Sequence, residues 1–447
     1  ISACLVGSEM CIRDRLYTRC TQKGIFGVSE KEKRVSVRPP GGCRGHKAAG
    51  WDRWKRRQAA FFFSLAGGPG LRGHSIKNVR KGAALVGKRV LITCCTPYQL
   101  LVAAQVLYAY YPDCQADLVV TDQMSGSWKV FEACRDSGRF GHVYYLEEKR
   151  LNNLPRGENL KNIVKGALFP QGLLEDFLRL EQAYDVFLFS NISLMNQYLI
   201  LGLKRKNPQV RWFLFEDGAS TYSSQVGGLV LSASPKVRMQ LYAVQKLSGV
   251  YLFHPEKLSW KAPCPVYGLP GKYAPETLAF LNRAFQYDSM PDRYDRPVLF
   301  FEESYPCDGV EIGDVALMDR VAELVGKENI FVKIHPRNRE NRFEQAGYAT
   351  NRDTAMPWEL IVLNSSFERT LFMTVGSSAA TNPYTIFGIP AKVVFLCELV
   401  EDKSKLRNGV LDQTKKVCRD RPDLFFFPKT WEEAEALIPR LLKENRG

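Results

Sequence analysis

Three short stretches of this 447-residue chain carry side chains suited to acid–base and anion chemistry. Phe215-Glu216-Asp217-Gly218 sets two carboxylates and a glycine after the apolar run Trp212 to Phe215. Adjacent carboxylates near a cleft raise each other's proton affinity, so one of them can accept a proton near neutral pH. Lys333-Ile334-His335-Pro336-Arg337 ends a second apolar run with a histidine in basic company. A protonated imidazole there could donate to a departing phosphate. Gly376-Ser377-Ser378 ends a third run and opens a helix, where backbone N–H groups and hydroxyls make an anion site. Each stretch also has a plainer reading. Asp217-Gly218 is ordinary turn chemistry, His335 a satisfied structural histidine, Ser377 a simple helix cap, and Lys333, Arg337 and Arg339 a solvated face. His254-Pro255 repeats the His-Pro dipeptide without the basic neighbours.

All three stretches follow apolar runs, and the chain from Arg89 alternates such runs with helical patterns. Strands are expected at 89–94, 117–121, 142–146, 185–189 and 211–215, with helices at 100–110, 128–134, 172–183 and 195–204 between them. Seven prolines crowd 251–297, and strand–helix units then resume at 298–301, 314–325, 330–334, 358–363, 371–375, 378–387 and 392–396, with a last helix at 431–442. This alternation predicts an α/β chain of two Rossmann-type parallel-sheet domains facing a cleft. Their expected spans are 87–250 and 297–447, joined by a proline-rich connection at 251–296. Open parallel sheets bind ligands at the carboxyl ends of their strands, where the three stretches fall.

Charge separates a leader from this body. Residues 1–88 hold 19 Lys and Arg against 5 Asp and Glu, while 89–447 hold 43 against 42. The body therefore has no electrostatic reason to bind nucleic acid. The leader, residues 1–86, lacks periodicity. Its opening, Cys4 to Arg15, resembles a translated sequencing-adapter fragment of the kind found in metagenomic assemblies. It is expected to be read-through of non-coding sequence, with the native start near Val86; the other reading is a real disordered basic tail. Eight scattered Cys in the body form neither a CxxC nor a Cys/His ligand set, so no metal site is expected and a reduced, cytoplasmic setting follows. No apolar run is long enough to span a membrane. The single GxGxxG, at Gly68 to Gly73, has no strand before it, and neither GxxxxGK[ST] nor Asp-x-Asp occurs in the body. A dinucleotide enzyme, a P-loop NTPase and a transferase relying on a metal-binding Asp pair are all disfavoured.

Together, Glu216-Asp217-Gly218, His335-Pro336 and Ser377-Ser378 resemble the three motifs shared by bacterial sialyltransferases. With Thr96-Pro97-Tyr98-Gln99 they resemble glycosyltransferase family 52, the lipooligosaccharide sialyltransferases, over roughly Arg89 to Val400. The resemblance implies a GT-B fold, CMP-sialic acid as donor, no required cofactor or metal, and inversion at the anomeric centre. It implies Glu216 as base on the acceptor hydroxyl, with Asp217 in support and Asp308 and Asp314 as fallbacks. His335 would neutralise or protonate the leaving phosphate. Lys333, Pro336, Arg337, Gly376, Ser377 and Ser378 would hold the donor, and Thr96, Pro97, Tyr98, Gln99 and Gly218 would face the acceptor. The expected acceptor is a terminal galactose of a bacterial surface glycan such as lipooligosaccharide. A homodimer is implied by the resemblance alone. A lipid-linked acceptor would bring peripheral contact with the inner face of the cytoplasmic membrane, although no clear basic amphipathic helix supports it. Two other readings keep the fold: a different nucleotide-sugar donor, or a non-catalytic glycan- or nucleotide-binding protein of a surface-polysaccharide locus.

Overall fold

The computed structural model describes residues 87–152, 178–180, 182–222, 235–290, 292 and 294–446. The leader lies outside them, as does most of the helix expected over 172–183. Both sheets belong to one compact unit.

The first sheet uses β1 (Arg89–Cys94), β2 (Gln115–Thr121), β3 (Val143–Leu146), β4 (Val186–Phe189), β5 (Arg211–Phe215), β6 (Gly249–Leu252) and β7 (Val266–Gly268), in the order β3-β2-β1-β4-β5-β6-β7. Between them run α1 (Pro97–Tyr110), α2 (Ser127–Asp136), α3 (Glu148–Asn152), α4 (Leu194–Lys206) and α5 (Pro235–Gln245). After α6 (Pro275–Ala284), the second sheet uses β8 (Val298–Phe301), β9 (Ile330–Lys333), β10 (Ala349–Thr350), β11 (Leu371–Thr374), β12 (Val393–Phe395) and β13 (Phe425–Phe426), in the order β10-β9-β8-β11-β12-β13. Its helices are α7 (Asp314–Val325), α8 (Arg342–Gln345), α9 (Trp358–Asn364), α10 (Asn382–Phe387), α11 (Asn408–Cys418) and α12 (Trp431–Arg446).

Every strand pair is parallel. The central strands β4, β8, β9 and β11 are buried at every residue, which is why they read as apolar runs up to the closing Lys333 of β9 and Thr374 of β11. Covering a Leu, Val or Phe on both faces stabilises by roughly 1.5–3 kcal/mol per side chain. In both sheets the strand order reverses beside the first strand, β1 next to β4 and β8 next to β11, and such a reversal opens a crevice at the carboxyl edge. This is the two-Rossmann, GT-B organisation expected.

One boundary differs. The stretch 251–296 is not all connection, because it completes β6 and supplies β7 to the first sheet. Pro265 was misleading here. It precedes an edge strand, where a missing N–H costs no ladder bond. The link proper is 269–297. Its helix α6 packs on α1 and α2 on one side and on α9 on the other.

Candidate active site

The cleft between the sheets has a volume of about 320 Å³. Thr96, Pro97 and Tyr98 line it from the first sheet, and Lys333, His335, Pro336, Ser377 and Ser378 from the second. The sequence motifs of β1, β9 and β11 therefore meet in one place.

The acid pair stands behind Tyr98. β5 ends at Phe215, and Gly218, at φ 80°, turns the chain into a short 3-10 helix, Ala219–Tyr222. A side chain at that φ would be strained, so the glycine is a requirement of the turn rather than an acceptor contact. Glu216 is 1% exposed and accepts from Tyr98 Oη at 2.7 Å, from the Phe253 N–H at 2.9 Å and from Tyr222 Oη. Burial raises its pKa, against the pull of these donors. Three donors already occupy this buried carboxylate, which does not itself line the cleft, so an anchoring role fits Glu216 better than the expected role of base.

Asp217 is half-buried. Its Oδ1 accepts from Gln99 Nε2 at 2.7 Å, and its N–H donates to Thr221 Oγ1 at 2.7 Å. Burial lifts its pKa to about 7, assisted by the neighbouring Glu216 charge and opposed by Gln99 and Asn191. A carboxyl with that pKa can exchange a proton near neutrality. Gln99 does not face an acceptor. It is 1% exposed, and its Oε1 accepts from the Cys95 N–H at 2.6 Å. Thr96 caps α1, its Oγ1 accepting from the Gln99 N–H at 3.2 Å, with Pro97 opening the helix.

Lys333, the last residue of β9, is only 7% exposed and lines the cleft. Burial lowers its pKa, while Glu359, Asp292 and Asp353 counter that through their charges. Among the described residues, no hydrogen bond or ion pair to its ammonium is formed within 4 Å. A buried cation in that position suits an anionic ligand.

The His335 N–H donates to Glu302 Oε2 at 3.0 Å, and its Nδ1 accepts from the Arg337 N–H at 3.2 Å. That contact places the ring proton on Nε2. Burial, with Arg337, Lys333 and Arg407 nearby, pushes its pKa down to about 4. The ring is thus a neutral Nε2–H donor rather than the protonated imidazole expected. Glu302 is held in turn by Arg342 at 3.2 Å, which also binds Asp314 at 2.8 Å and Glu311 at 3.0 Å.

The serine motif differs in its details. The helix expected over 378–387 is a 3-10 turn, Ser378–Ala380, followed by α10, which opens with Pro383 near its start. The N–H groups of Gly376 and Ser377 donate to Thr374 Oγ1 at 3.3 and 2.9 Å, so these amides are taken within the turn, and Ser377 Oγ accepts from the Ala379 N–H at 3.4 Å. Gly376 itself borders a second, smaller cavity with Glu303 and Arg407. Arg337 lies off the cleft and pairs with Asp308 at 3.1 Å; Arg407 grips the same carboxylate. Asp308 and Asp314 are both claimed by arginines and are poor bases.

The sequence did not single out Glu359, which lines the cleft and accepts from Asn382 Nδ2 at 2.7 Å. An acid in the first turn of α9 looks like any residue answering a helix dipole. Among the described residues, no group of three or more His, Cys, Asp or Glu converges as metal ligands, and no helix is long and apolar enough to cross a membrane.

Comparison with known proteins places the chain in a family. No curated protein matches the chain. Among solved structures, it is similar to Arabidopsis thaliana UGT89C1 complexed with UDP, at 12% identity over 81% of this chain and 91% of that one, with TM-score 0.44. It is also similar to Methanocaldococcus jannaschii UDP-GlcNAc 2-epimerase in complex with UDP-GlcNAc and UDP, at 12% identity over 80% and 94%, with TM-score 0.41. A third likeness is to the wall teichoic acid polymerase TagF, at 11% identity over 90% and 99%, with TM-score 0.37. The family model described as Alpha-2,8-polysialyltransferase (POLYST) matches residues 91–395, from β1 through β12 and across all three motifs. This is a sialyltransferase family, as expected; the match does not extend to glycosyltransferase family 52 in particular. With more than half of the chain matched, the protein belongs to the alpha-2,8-polysialyltransferase family.

Proposed function

We propose that the chain transfers sialic acid from CMP-sialic acid to a sugar hydroxyl of a glycan, with inversion and without a required metal. The observation that carries this reading is the anion-seeking set Lys333, His335, Ser377 and Ser378 around one cleft, with Asp217, a carboxyl whose pKa is lifted to about 7, just behind the Tyr98 that lines the opposite wall. Asp217 takes the acceptor's hydroxyl proton while that oxygen attacks the anomeric carbon of the donor. The bond from the anomeric carbon to the phosphate oxygen breaks, and its electron pair leaves with CMP. The Lys333 ammonium, His335 Nε2–H and the two serine hydroxyls stabilise the charge that grows on the phosphate, in place of a metal. Glu359 is available to accept from donor hydroxyls. Attack from the first-sheet side and departure on the second-sheet side give inversion.

The family description favours a terminal sialic acid as acceptor and an α2,8 linkage. A galactose-terminated lipooligosaccharide is the second reading, and it rests on the three-motif resemblance to family 52. The test is CMP release from CMP-sialic acid in EDTA, with a sialylated and a galactose-terminated acceptor in parallel. Acceptor-dependent release supports the reading and identifies the acceptor. Failure to bind CMP overturns it in favour of another nucleotide sugar. CMP binding without turnover on any acceptor would leave a non-catalytic binding protein.

A further inference from the structure

We propose that Trp128, braced by Phe131 and Tyr145, is an aromatic platform for a sugar unit of the acceptor chain beyond the one that reacts. The proposal rests on the glycan acceptor assigned above.

Trp128 is 54% exposed; among the described residues the only other exposed large hydrophobic is Tyr108. Its ring is held in place nonetheless. Its centroid lies 5.1 Å from Phe131, at 37°, and 5.0 Å from Tyr145, at 76°. Phe131 and Tyr145 close the triangle at 5.5 Å, and Tyr145 Oη lies 2.9 Å from Ser127 Oγ. The indole is therefore held by an edge-to-face contact with Tyr145 and a tilted one with Phe131, with surface left in water.

Its place in the fold ties it to the cleft. Trp128 sits in the first turn of α2, just after the carboxyl end of β2, and Tyr145 is near the carboxyl end of β3. Both lie at the sheet edge on which the cleft opens. Ser125, three residues before Trp128, lines the cleft, and a Cβ on Gly126 would stand 3.6 Å from Ala355, another lining residue. From the cleft this edge runs outward to β3, the last strand on that side. An acceptor chain entering beside Thr96 and Ser125 would cross the platform on its way out.

The chemistry of the platform suits a sugar. A pyranose has an apolar C–H face that stacks on an aromatic ring, and a rigid indole offers large contact at small entropic cost. A stable protein interface needs about 800 Å² on each side, far more than one ring offers.

The test is titration calorimetry, with CMP present, of two oligosaccharide series: sialic acid α2,8-dimer and hexamer, and lactose with a galactose-terminated hexasaccharide. In at least one series the wild type should bind the hexasaccharide about tenfold more tightly than the disaccharide. Trp128→Ala should remove that length preference and Trp128→Phe should keep most of it. The hexasaccharide should also shield Trp128 of the unmodified protein from N-bromosuccinimide, read by peptide mass spectrometry, so the result does not depend on a variant folding. No length preference in the wild type, or an undiminished one in Trp128→Ala, overturns the platform. Turnover of CMP-sialic acid is scored separately, so a length preference without turnover would count against the reaction and not against the platform.

Discussion

Gln99 joins two elements through one side-chain amide. Its Oε1 accepts from the Cys95 N–H at 2.6 Å and its Nε2 donates to Asp217 Oδ1 at 2.7 Å. The first bond fixes which way the amide faces, so the second must be a donation. Gln99→Glu keeps the first bond and sets a carboxylate against Asp217. Like charge then disfavours ionisation of Asp217, and the acid limb of the rate profile should move up by about one pH unit. A pH–kcat/KM series on the variant checks this.

Asp217 sets the next expectation. With a pKa raised to about 7, it works as a base only when ionised, so the rate should fall as pH drops below about 7. Asp217→Asn should cost about 10²–10⁴-fold in kcat. Stability runs the other way. The folded-state pKa lies above the ordinary 3.8, so folding free energy is fullest below about pH 4 and is lost as pH rises to about 7. Thermal melts at pH 8 should show Asp217→Asn more stable than the wild type.

Glu216→Gln separates anchoring from catalysis. The amide nitrogen cannot accept from the donors that converge on Glu216, so one buried donor is left without a partner. The expected loss is about 1–3 kcal/mol of stability. Residual activity should keep its acid limb at about pH 7, because Asp217 remains. Chemical denaturation and the pH–rate profile give the two readouts.

His335→Ala removes the Nε2–H from the phosphate side. A loss of about 10²–10³ in kcat is expected, as for one oxyanion donor. Its pKa near 4 places its titration far from neutrality, so the limb near pH 7 should persist in the variant. If the limb disappears with His335, the assignment of that limb to Asp217 is wrong.

Arg342→Met tests the support beneath His335. Glu302 and Asp314 are 2% and 1% exposed, and the substitution strips their cation from both. Breaking such a buried pair typically costs about 3–5 kcal/mol. A thermal melt of the variant measures it.

Much of this was legible from residue order. Strands such as Val298–Phe301 announced themselves because burial on both faces leaves no polar position to blur the run. The motifs at Asp217, His335 and Ser377 were visible because chemically competent residues sat where apolar runs stopped. What periodicity could not show was which partners each member of a pair takes. Glu216 and Asp217 are neighbours, yet Tyr98, Tyr222 and Phe253 claim the first while Gln99 and Asn191 hold the second. The amides of Gly376 and Ser377 were likewise spent on Thr374, a partner that no helix-start pattern reveals. Pro265 hid β7 because edge position, which makes proline harmless, is a property of the folded sheet.

Among the described residues, the chain passes from one sheet to the other once. All strands of the first lie before residue 269 and all of the second after 297, and α12 stays packed on α7 and β11. The half that carries the acid pair and the half that carries Lys333 and His335 are thus separable by a single cut. A swap at that one junction would set the half with Lys333 and His335 against a different first sheet, and recombination between relatives would need only one crossover to rebuild one wall of the cleft while keeping the other.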